Sequence, residues 1–492
     1  MAPATIDPTL IATLSRVQEF LQARRVPCYV VGGLLRDQLI GRPATGWNVD
    51  LAVPREALAV SRALAERLHG AFVVLDEAAG SARIIVHADA QRIELDLSEF
   101  RGATLEDDLS RRDFTINAMA VALSDWLRAP RDPVPIVDPL GGRKAIARKT
   151  LIACFPGTFE EDPVRLLRSF RFAAQLSFAI EDATRALMAP ALRGLSRVSG
   201  ERLRDELMAI FETDRAHAAV CALNELGALD VIVPELSAGR GVEQGPLHHL
   251  DVLEHQLEAV AQADRILADF VEFSPALRGP LADYCARQLV ERRSRKSLIK
   301  LSGLLHDVGK PARRTVEADG EVWFLGHEET GAQLASGIVE RLRLSNREAH
   351  MVCQLVRHHL RPGFLSREPS LSRRAIYRFF KDLGDDGPGC LLTWWTDRMA
   401  TRGPRSRLDQ LGQQRGRLEE LLNAYFFKEE EVVRPPRLVD GHQLMEAFHL
   451  DPGPRVGELL AAIEEAQAEG RIRTADQALA LARELLDTPR TR

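Results

Sequence analysis

The chain has 492 residues, of which 45% are hydrophobic and 27% are charged, and its formal net charge is −5 at pH 7. This length allows three or four domains, and the composition is that of an ordinary globular protein. The six cysteines lie far apart without a Cys-x-x-Cys pair, which excludes a disulfide framework and a zinc ribbon. No run approaches the ~20 apolar residues of a membrane helix, and the N-terminus lacks the features of a signal peptide. We therefore expect a cytoplasmic protein without a membrane partner.

The negative net charge means that any contact with nucleic acid must come from local basic patches. The candidates are two clusters of basic residues, at 292–300 and 402–417. Each cluster alone is more often a solvated helix face.

The first 140 residues predict a mixed α/β region. Short β-rich runs occupy 27–31, 49–53, 71–75, 82–87 and 92–97, and a helical pattern occupies 54–68. From about residue 157, apolar residues recur at three- and four-residue spacing. This spacing predicts helices at 161–178, 182–189, 200–211, 215–227, 249–270, 297–308, 328–342 and 347–359. A breakpoint near 430–440 precedes a last helical stretch at 441–487.

A Gly-Gly turn follows the first β-rich run. Gly32 and Gly33 separate that run from a helical pattern at 34–40, and Arg36 lies one turn into this pattern. Glycines let the backbone approach a triphosphate, the start of the helix offers free N–H groups, and an arginine can pair with phosphate oxygens. Many Gly-Gly turns are merely tight turns, so this feature alone is weak evidence.

Polar and acidic residues on the following strands strengthen the interpretation. Asn48 and Asp50 stand at positions i and i+2 of one strand and point to the same face, and Asp96 lies in a later strand. Nucleotidyl transfer uses two Mg²⁺ ions that bridge the nucleotide phosphates and the attacking 3′-hydroxyl. Carboxylates on neighbouring strands are suitable ligands for these ions.

Five segments then appear in a specific order. They are Gly32–Arg42, Arg111–Met119, Asp138–Gly142, Glu161–Arg171 and Ser199–Arg202. Together they resemble the motifs of class II CCA-adding enzymes and bacterial poly(A) polymerases. The resemblance implies an α+β fold in which a nucleotidyltransferase palm, a mixed sheet with helices, precedes an elongated and mostly α-helical neck, body and tail. It also implies CTP and ATP as substrates, tRNA as the partner through its 3′ end and acceptor or elbow region, and no DNA.

The resemblance assigns roles residue by residue. Asn48, Asp50 and Asp96 would be catalytic and hold Mg²⁺. The nucleotide-binding residues would be Gly32, Gly33, Arg36, Arg112, Asp113, Asp162, Arg165, Arg168 and Arg171. Asp162 and the three arginines that follow it recur at three-residue steps, as neighbours on one helix surface do. Asp162 and Arg165 would read the edge of cytosine or adenine as a complementary base does, with Arg168 and Arg171 supporting them or binding phosphate.

Two features depart from the family pattern. Asn48 stands where the family has Asp, and an amide offers an oxygen but no charge to a hard cation. Either an inactivating substitution or a natural variant with weak or lost transfer activity would explain it. In addition, only a short connection separates Arg101 from the second motif. Many CCA-adding members have a longer flexible loop here that is tied to the switch from C to A addition. A CC-adding specialist, or an A-adding one whose loop lies elsewhere, is therefore an alternative.

The middle of the chain contains a second constellation. The segment Leu304–Pro311 resembles the defining motif of HD-domain phosphohydrolases, with further histidines and an aspartate before and after it. Imidazoles and carboxylates from several helices suit Mn²⁺, Ni²⁺ or Mg²⁺, which would activate water against a phosphoester. By this resemblance the core ligands are His255, His306, Asp307 and Asp397, and His327 and His358 would hold a second metal. The block 437–480 resembles the C-terminal segment of HD-containing members.

The expected organisation is a head at 1–140, a nucleotide-selecting neck at 141–215, a body with the HD-type domain at 216–430 and a tail at 431–492. The first hypothesis is template-independent addition of C, A or both to tRNA 3′ ends, with possible HD phosphohydrolase activity. A poly(A) polymerase is an alternative of the same class. An HD phosphohydrolase or phosphodiesterase on a disabled transferase scaffold, and an RNA-binding protein without chemistry, are alternatives of other classes.

Position 48 provides the first test. If it is a metal-ligand position, replacing the amide by a carboxylate restores a charge that the ions need. The variant Asn48→Asp should then raise nucleotide incorporation into tRNA by orders of magnitude. An unchanged rate of incorporation would contradict the ligand assignment.

Overall fold

The computed structural model describes residues 7–42, 48–88, 91–130, 135–290 and 292–487. The chain divides into two compact units, Met1–Val198 and Ser199–Arg492. The first unit contains a six-stranded sheet, and the second is almost entirely helical. This arrangement confirms the predicted α+β class.

The first unit alternates strands and helices. Its strands are β1 Tyr29–Val31, β2 Asn48–Val53, β3 Ala71–Asp76, β4 Ser81–Ala88, β5 Gln91–Glu99, β6 Ala120–Ala122, β7 Thr150–Leu151 and β8 Ala179–Ile180. Its helices are α1 Pro8–Ala23, α2 Gly33–Ile40, α3 Ala57–Leu68, α4 Leu105–Ser110, α5 Leu123–Arg128, α6 Gly142–Ala147, α7 Thr158–Glu161, α8 Val164–Leu176, α9 Asp182–Ala186 and α10 Met188–Ala191. Short 3₁₀ helices occupy Thr115–Asn117 and Leu192–Arg197.

The six-stranded sheet is mixed, as predicted. Its strand order is β3-β4-β5-β2-β1-β6, with β2 and β5 parallel and the other neighbours antiparallel. Helix α3 and the β3–β4 hairpin separate β2 from β5 in sequence, which gives the chain the length that a parallel pairing requires. The core of this unit contains Leu14 of α1, Leu64 of α3, Leu95 of β5 and Trp126 of α5. This core fixes the strands whose other residues form the candidate site.

Two of the predicted helices are divided. The stretch 161–178 contains Pro163, so α7 ends at Glu161 and α8 begins at Val164. Asp162 lies between them in an extended conformation, with φ −142° and ψ 94°. A residue before proline is disfavoured from the helical conformation by contact with the proline ring. The stretch 182–189 is likewise divided between α9 and α10.

The second unit consists of helices with two small hairpins. Its helices are α11 Gly200–Phe211, α12 Ala216–Leu226, α13 Ala228–Ile232, α14 Val252–Asp269, α15 Pro275–Ala286, α16 Arg295–Leu305, α17 Lys310–Arg313, α18 His327–Arg341, α19 Asn346–His358, α20 Arg361–Leu365, α21 Arg373–Leu383, α22 Gly387–Ala400, α23 Leu411–Phe427, α24 Gly441–Phe448, α25 Pro454–Ala468 and α26 Ala475–Asp487. Its strands are β9 Gln288–Val290, β10 Arg293–Ser294, β11 Thr315–Val316 and β12 Val322–Trp323. The predicted last stretch, 441–487, forms three helices around their own apolar cluster. Within the described ranges, no helix is long and apolar enough to cross a membrane.

Helix α16 is anchored by a buried lysine. Lys300 has no exposed surface, and its Nζ donates to Asp264 Oδ1 of α14 at 2.6 Å and to the carbonyl oxygen of Thr213. Asp264 also accepts the N–H of His217 near the start of α12 at 2.8 Å. Burial lowers the pKa of Lys300 although the charge of Asp264 opposes that shift. The buried ion pair therefore ties three helices of this unit together.

Loss of this lysine should destabilise the second unit. Removing one partner of a buried ion pair leaves the other charge uncompensated, which costs about 3–5 kcal/mol. We expect Lys300→Ala to lower the free energy of unfolding by that amount in urea titrations. Lys296→Ala is the matched control, since Lys296 lies on the same helix but pairs with Asp214, which is more than half exposed. Equal stability of the two variants would contradict the role of the buried pair.

Candidate active site and metal centre

The Gly-Gly turn makes room for a carboxylate. Strand β1 ends at Val31, Gly32 has φ +71°, and α2 begins at Gly33. A Cβ atom on Gly32 would lie 2.6 Å from Asp50 Oδ2, and the N–H of Gly33 donates to Asp50. Gly32 is thus needed for the positive φ and for the close approach of Asp50.

The parallel pairing of β2 with β5 places two aspartates side by side. In this register Asp50 is opposite Asp96, and Asn48 is opposite Glu94. Burial, and next the charge of Asp96, raise the pKa of Asp50. Two neighbouring carboxylates at low dielectric repel each other unless a cation lies near them.

A cation-binding role fits the oxygen atoms of this face. Asn48 Oδ1 is buried and accepts no hydrogen bond from any residue that the structure describes. Carboxylate and amide oxygens are the ligands that Mg²⁺ prefers. Asp50, Asp96 and Asn48 are therefore the residues that would hold divalent ions in this unit.

Arg83 is a site residue that the sequence reasoning missed. From β4 its Nε and Nη2 donate to Asp96 Oδ1 and Oδ2 at 2.7 and 2.8 Å, and its Nη1 lies 3.1 Å from Glu94 Oε2. The signal was present in the sequence as an arginine within a predicted strand. Its relevance depends on the β4–β5 register, in which Arg83 is opposite Asp96.

A chain of hydrogen bonds joins three of the sequence motifs. Arg36 Nη1 donates to Asn117 Oδ1 at 2.9 Å, and Asn117 Nδ2 donates to Asp113 Oδ1 at 3.1 Å. Arg168 Nη1 of α8 then lies 3.3 Å from Asp113 Oδ2. Burial opposes ionisation of Asp113, but the charge of Arg168 and the hydrogen bond from Asn117 lower its pKa. Arg112 is held separately, because its Nε and Nη2 donate to Asp108 Oδ2 at 3.1 and 2.8 Å.

Asp162 and Arg165, the pair expected to read the base, have a different geometry from the one expected. Asp162 precedes α8 and is not on its surface, and its Oδ2 is 3.8 Å from Arg165 Nε. Arg165 is buried and donates from Nη1 to Glu161 Oε2 at 3.0 Å. The sequence reasoning missed this role of Glu161. Arg171 donates to Gln175 Oε1 at 3.1 Å and lies over the Phe172 ring at 4.2 Å.

The second unit brings histidines and carboxylates into one buried cluster. Asp307 is shared by two groups whose ligand atoms lie within 4.8 Å of one another, His255–His306–Asp307 and Asp307–His327–His359. Asp397 of α22 is 2.9 Å from His255 Nε2 and 3.6 Å from His306 Nε2. These contacts gather five of the residues predicted for this site.

His358 is a correction to the sequence prediction. His359, not His358, faces the cluster, with its Nε2 at 3.4 Å from His327 Nε2 and 3.7 Å from Asp307 Oδ1. Consecutive helical residues point about 100° apart, so only one of the two can face the same centre. His358 is half-buried and belongs to neither group.

Three histidine rings of the cluster are held in one orientation. Each donates from Nδ1 to a backbone carbonyl, His306 to Gly303 at 2.7 Å, His327 to Phe324 at 2.7 Å and His359 to Val356 at 2.6 Å. Their Nε2 atoms therefore point into the cluster, and His306 Nε2 lies 3.3 Å from His255 Nε2. Such fixed tautomers are typical of metal-binding histidines.

Burial and the neighbouring charges shift the pKa values of two histidines of the cluster. Burial would lower the pKa of His306, but the charges of Asp307 and Asp397 raise it to about 10. Burial, with the charge of His306, lowers the pKa of His359 to about 3. The carboxylates of Asp307 and Asp397 thus favour positive charge at the centre, which a divalent ion would also supply. The residues present fit a metal centre, and Asp307 belongs to both groups of candidate ligands.

Two residues beside this cluster were missed as site residues. Lys310 Nζ lies 2.6 Å from Asp307 Oδ2 and donates to Gln244 Oε1 at 2.7 Å. His248 packs edge-on against His255, with ring centroids 4.6 Å apart. Lys310 lies within the motif segment Leu304–Pro311, three residues after Asp307, where the sequence could have indicated it, whereas His248 lies in a loop without such a signal.

Four known domain families match successive parts of the chain. The poly A polymerase head domain matches residues 28–152, and the probable RNA and SrmB-binding site of polymerase A matches 177–239. The HD domain matches 252–379, and tRNA nucleotidyltransferase domain 2 matches 405–482.

Whole proteins also match over most of their length. The chain is 36% identical to the A-adding tRNA nucleotidyltransferase of Deinococcus radiodurans, over 92% of this chain and 94% of that protein. It is 32% identical to the CC-adding tRNA nucleotidyltransferase of Thermus thermophilus, over 92% of each. Among solved structures, a CCA-adding enzyme in its apo form I covers 98% of this chain and 96% of its own, with a TM-score of 0.63 and 19% identity. The Thermotoga maritima CCA-adding enzyme complexed with tRNA covers 98% and 97%, with a TM-score of 0.60 and 19% identity. The chain belongs to the tRNA nucleotidyltransferase and poly(A) polymerase family, in the branch with an HD domain.

Proposed function

We propose that this chain is a template-independent nucleotidyltransferase that extends the 3′ end of tRNA with C, A or both, from CTP and ATP, in the cytoplasm. The observation that carries this proposal is the Asp50–Asp96 pair beside the Gly32 turn, on a sheet of the family's fold. The proposed organisation is a head at 1–140, a neck at 141–215, a body at 216–430 and a tail at 431–492.

Different residues of the head bind the metal ions and the triphosphate in the proposed reaction. Asp50, Asp96 and Asn48 would hold Mg²⁺, which would neutralise the phosphates and lower the pKa of the tRNA 3′-hydroxyl. The 3′-oxygen gives up its proton to solvent and bonds to the α-phosphorus, while the bond from that phosphorus to the oxygen bridging to the β-phosphate breaks and pyrophosphate leaves. Gly33 and Arg36 contact the triphosphate from the start of α2. Arg36 is already oriented toward this task, because Asn117 and Asp37 fix its guanidinium.

The second and fourth motifs position the incoming nucleotide. Arg112 and Asp113 orient its ribose and phosphates, and Asp113 connects this motif to Arg168 on α8. Asp162 and Arg165 read the base edge, with Arg168 and Arg171 supporting them. Rotation of Arg165 away from Glu161 and toward Asp162 would form the paired acceptor and donors that this reading requires.

The short connection after Arg101 favours the C-adding step. The connection is tightly folded, because the Thr104 hydroxyl accepts from the N–H of Asp107 at 3.1 Å and Asp107 Oδ2 accepts from the N–H groups of Ala103 and Thr104. A long flexible loop of the kind tied to A addition is therefore replaced by a capped helix start. Addition of A is the second candidate, because a relative named as A-adding is 36% identical.

A tRNA assay separates these outcomes. Substrates ending before CCA, in C or in CC are incubated with labelled CTP or ATP and Mg²⁺. We expect the first two to be extended to CC and the third to remain unextended. Addition of A to the third substrate alone would establish the second candidate. Full CCA addition would contradict the specialist role, and long A tails or no incorporation at all would contradict tRNA repair.

A further activity is proposed for the HD-type cluster. His255, His306, Asp307 and Asp397, with His327 and His359, would hold one or two ions such as Mn²⁺, Ni²⁺ or Mg²⁺. When bound, these ions supply an activated water for phosphoester hydrolysis. The specific support is the inward orientation of the Nε2 atoms, and damaged tRNA 3′ ends are the substrates that the family resemblance suggests.

Neighbouring histidines allow a matched test of this site. RNA ending in a 2′,3′-cyclic phosphate is incubated with the protein and Ni²⁺ or Mn²⁺. We expect His306→Ala, Asp307→Ala and His359→Ala to lose hydrolysis by about a hundredfold, whereas His358→Ala retains it. Hydrolysis that survives the first three substitutions would contradict the proposed centre.

A further inference from the structure

Strands β2 and β5 place four side chains at the corners of a rectangle. Asn48 pairs with Glu94 and Asp50 pairs with Asp96, so all four lie on one face. Paired positions are about 4.8 Å apart across the strands, and successive same-face positions are about 6.6 Å apart along them. Glu94 therefore has the same relation to Asn48 that Asp96 has to Asp50.

This rectangle contains three carboxylates and one amide. The corner at position 48 has lost the charge that the family pattern provides, and the corner beside it has a carboxylate. Glutamate is longer than aspartate by one methylene group, which lets the Glu94 carboxylate reach Arg83 on the neighbouring strand β4. The number of carboxylates on this face is thus three despite Asn48.

Glu94 is buried to an extent that an unpaired acidic residue does not tolerate. Only 3% of its surface is exposed. Its Oε2 is 3.1 Å from Arg83 Nη1, and its Oε1 is 2.7 Å from Arg92 Nη2. Because Arg83 also pairs with both oxygens of Asp96, one guanidinium holds the two carboxylates of β5 together.

We propose that Glu94 is a metal-binding carboxylate of the transferase site, one that replaces the charge missing at Asn48. This inference rests on the proposed function of the head. Before an ion binds, Arg83 neutralises Glu94 and Asp96 and keeps them on the site face. A bound ion takes over part of that neutralisation, and Asn48 contributes its buried, unpaired Oδ1 as a neutral ligand.

The inference changes the result expected for Asn48→Asp. If no other residue replaced the charge missing at position 48, introducing a carboxylate there would raise nucleotide incorporation by orders of magnitude. If Glu94 already supplies the third charge, the gain is less than about tenfold. The same substitution should become strongly beneficial when Glu94 is first changed to Gln.

Fe²⁺-directed cleavage measures ion binding at this site without relying on catalysis. In the presence of CTP, ascorbate and hydrogen peroxide, bound Fe²⁺ cleaves the protein backbone beside it. Cuts in β2 and β5 therefore report Fe²⁺ binding in the head. Cuts near Asp307 report Fe²⁺ binding at the HD-type cluster. The full-length protein is titrated with Fe²⁺ as the unchanged chain and as the variants Glu94→Gln, Asp50→Asn and Asn48→Asp, and as the Asn48→Asp/Glu94→Gln double variant. Glu99→Gln is the matched control, since Glu99 is on the same strand but accepts from the N–H of Ala57.

We expect Glu94→Gln to weaken Fe²⁺ binding in the head by about tenfold, with cleavage near Asp307 unchanged. The double variant should return to within about threefold of the unchanged protein, because one carboxylate substitutes for the other. Glu99→Gln should bind as the unchanged protein does. Glu94→Asp keeps the charge but has a shorter side chain, so this variant should bind Fe²⁺ severalfold more weakly than the unchanged protein. If Glu94→Gln unfolds, Glu94→Asp provides the test.

Other results would distinguish an error in the role of Glu94 from an error in the proposed transferase site. If Asp50→Asn abolishes cleavage in the head while both Glu94 variants leave the titration unchanged, the proposed role of Glu94 is wrong and the transferase site stands. If Asp50→Asn also leaves cleavage in the head unchanged, the transferase site itself is wrong. Equal weakening by Glu94→Gln with and without Asn48→Asp would show a purely structural role and would also contradict the proposal.

Discussion

The parallel pairing of β2 with β5 is the constraint on which the transferase site depends. It places Asp50 beside Asp96 and Asn48 beside Glu94, and so concentrates negative charge on one face of the sheet. The rest of the head accommodates that charge. Gly32 leaves space for the Asp50 carboxylate, and Arg83 neutralises Asp96 and Glu94 from the neighbouring strand. Divalent ions are the natural complement of such a surface, because they bind hard oxygen ligands and neutralise repulsion between carboxylates.

The HD-type cluster also brings carboxylates together, but its other candidate ligands are imidazole nitrogens. There the shared carboxylate of Asp307 is surrounded by imidazoles whose tautomers are fixed by backbone carbonyls. Nitrogen ligands favour transition metals, whereas the oxygen ligands of the head favour Mg²⁺. The chain therefore contains two candidate metal sites of different chemistry, and each lies within its own compact unit.

Most of the architecture could be predicted from the sequence. Short β-rich runs predicted the main strands, and apolar residues at three- and four-residue spacing predicted many of the helices. The order of the sequence motifs indicated the family. Local effects were harder to predict. Pro163 divided a predicted helix and moved Asp162 off its surface, although the proline was visible in the sequence. His359 and not His358 faced the metal cluster, because the phase of a helix end depends on how the helix packs.

Contacts between strands and between motifs lay beyond the sequence. The roles of Arg83 and Glu94 depend on the register of three strands, which the pattern of each strand does not specify. The connection from Arg36 through Asn117 and Asp113 to Arg168 spans residues that are more than one hundred positions apart. It links the turn after β1 to helix α8 within one unit.

We expect nucleotides to be transferred at the centre that Asp50 and Asp96 form. Single-turnover incorporation of labelled CTP or ATP into tRNA measures this role, with tRNA binding measured in parallel. Asp50→Asn and Asp96→Asn should each slow incorporation by about a thousandfold or more, equivalent to about 4 kcal/mol, while tRNA binding is retained. Incorporation by both variants within about tenfold of the unchanged protein would contradict this role.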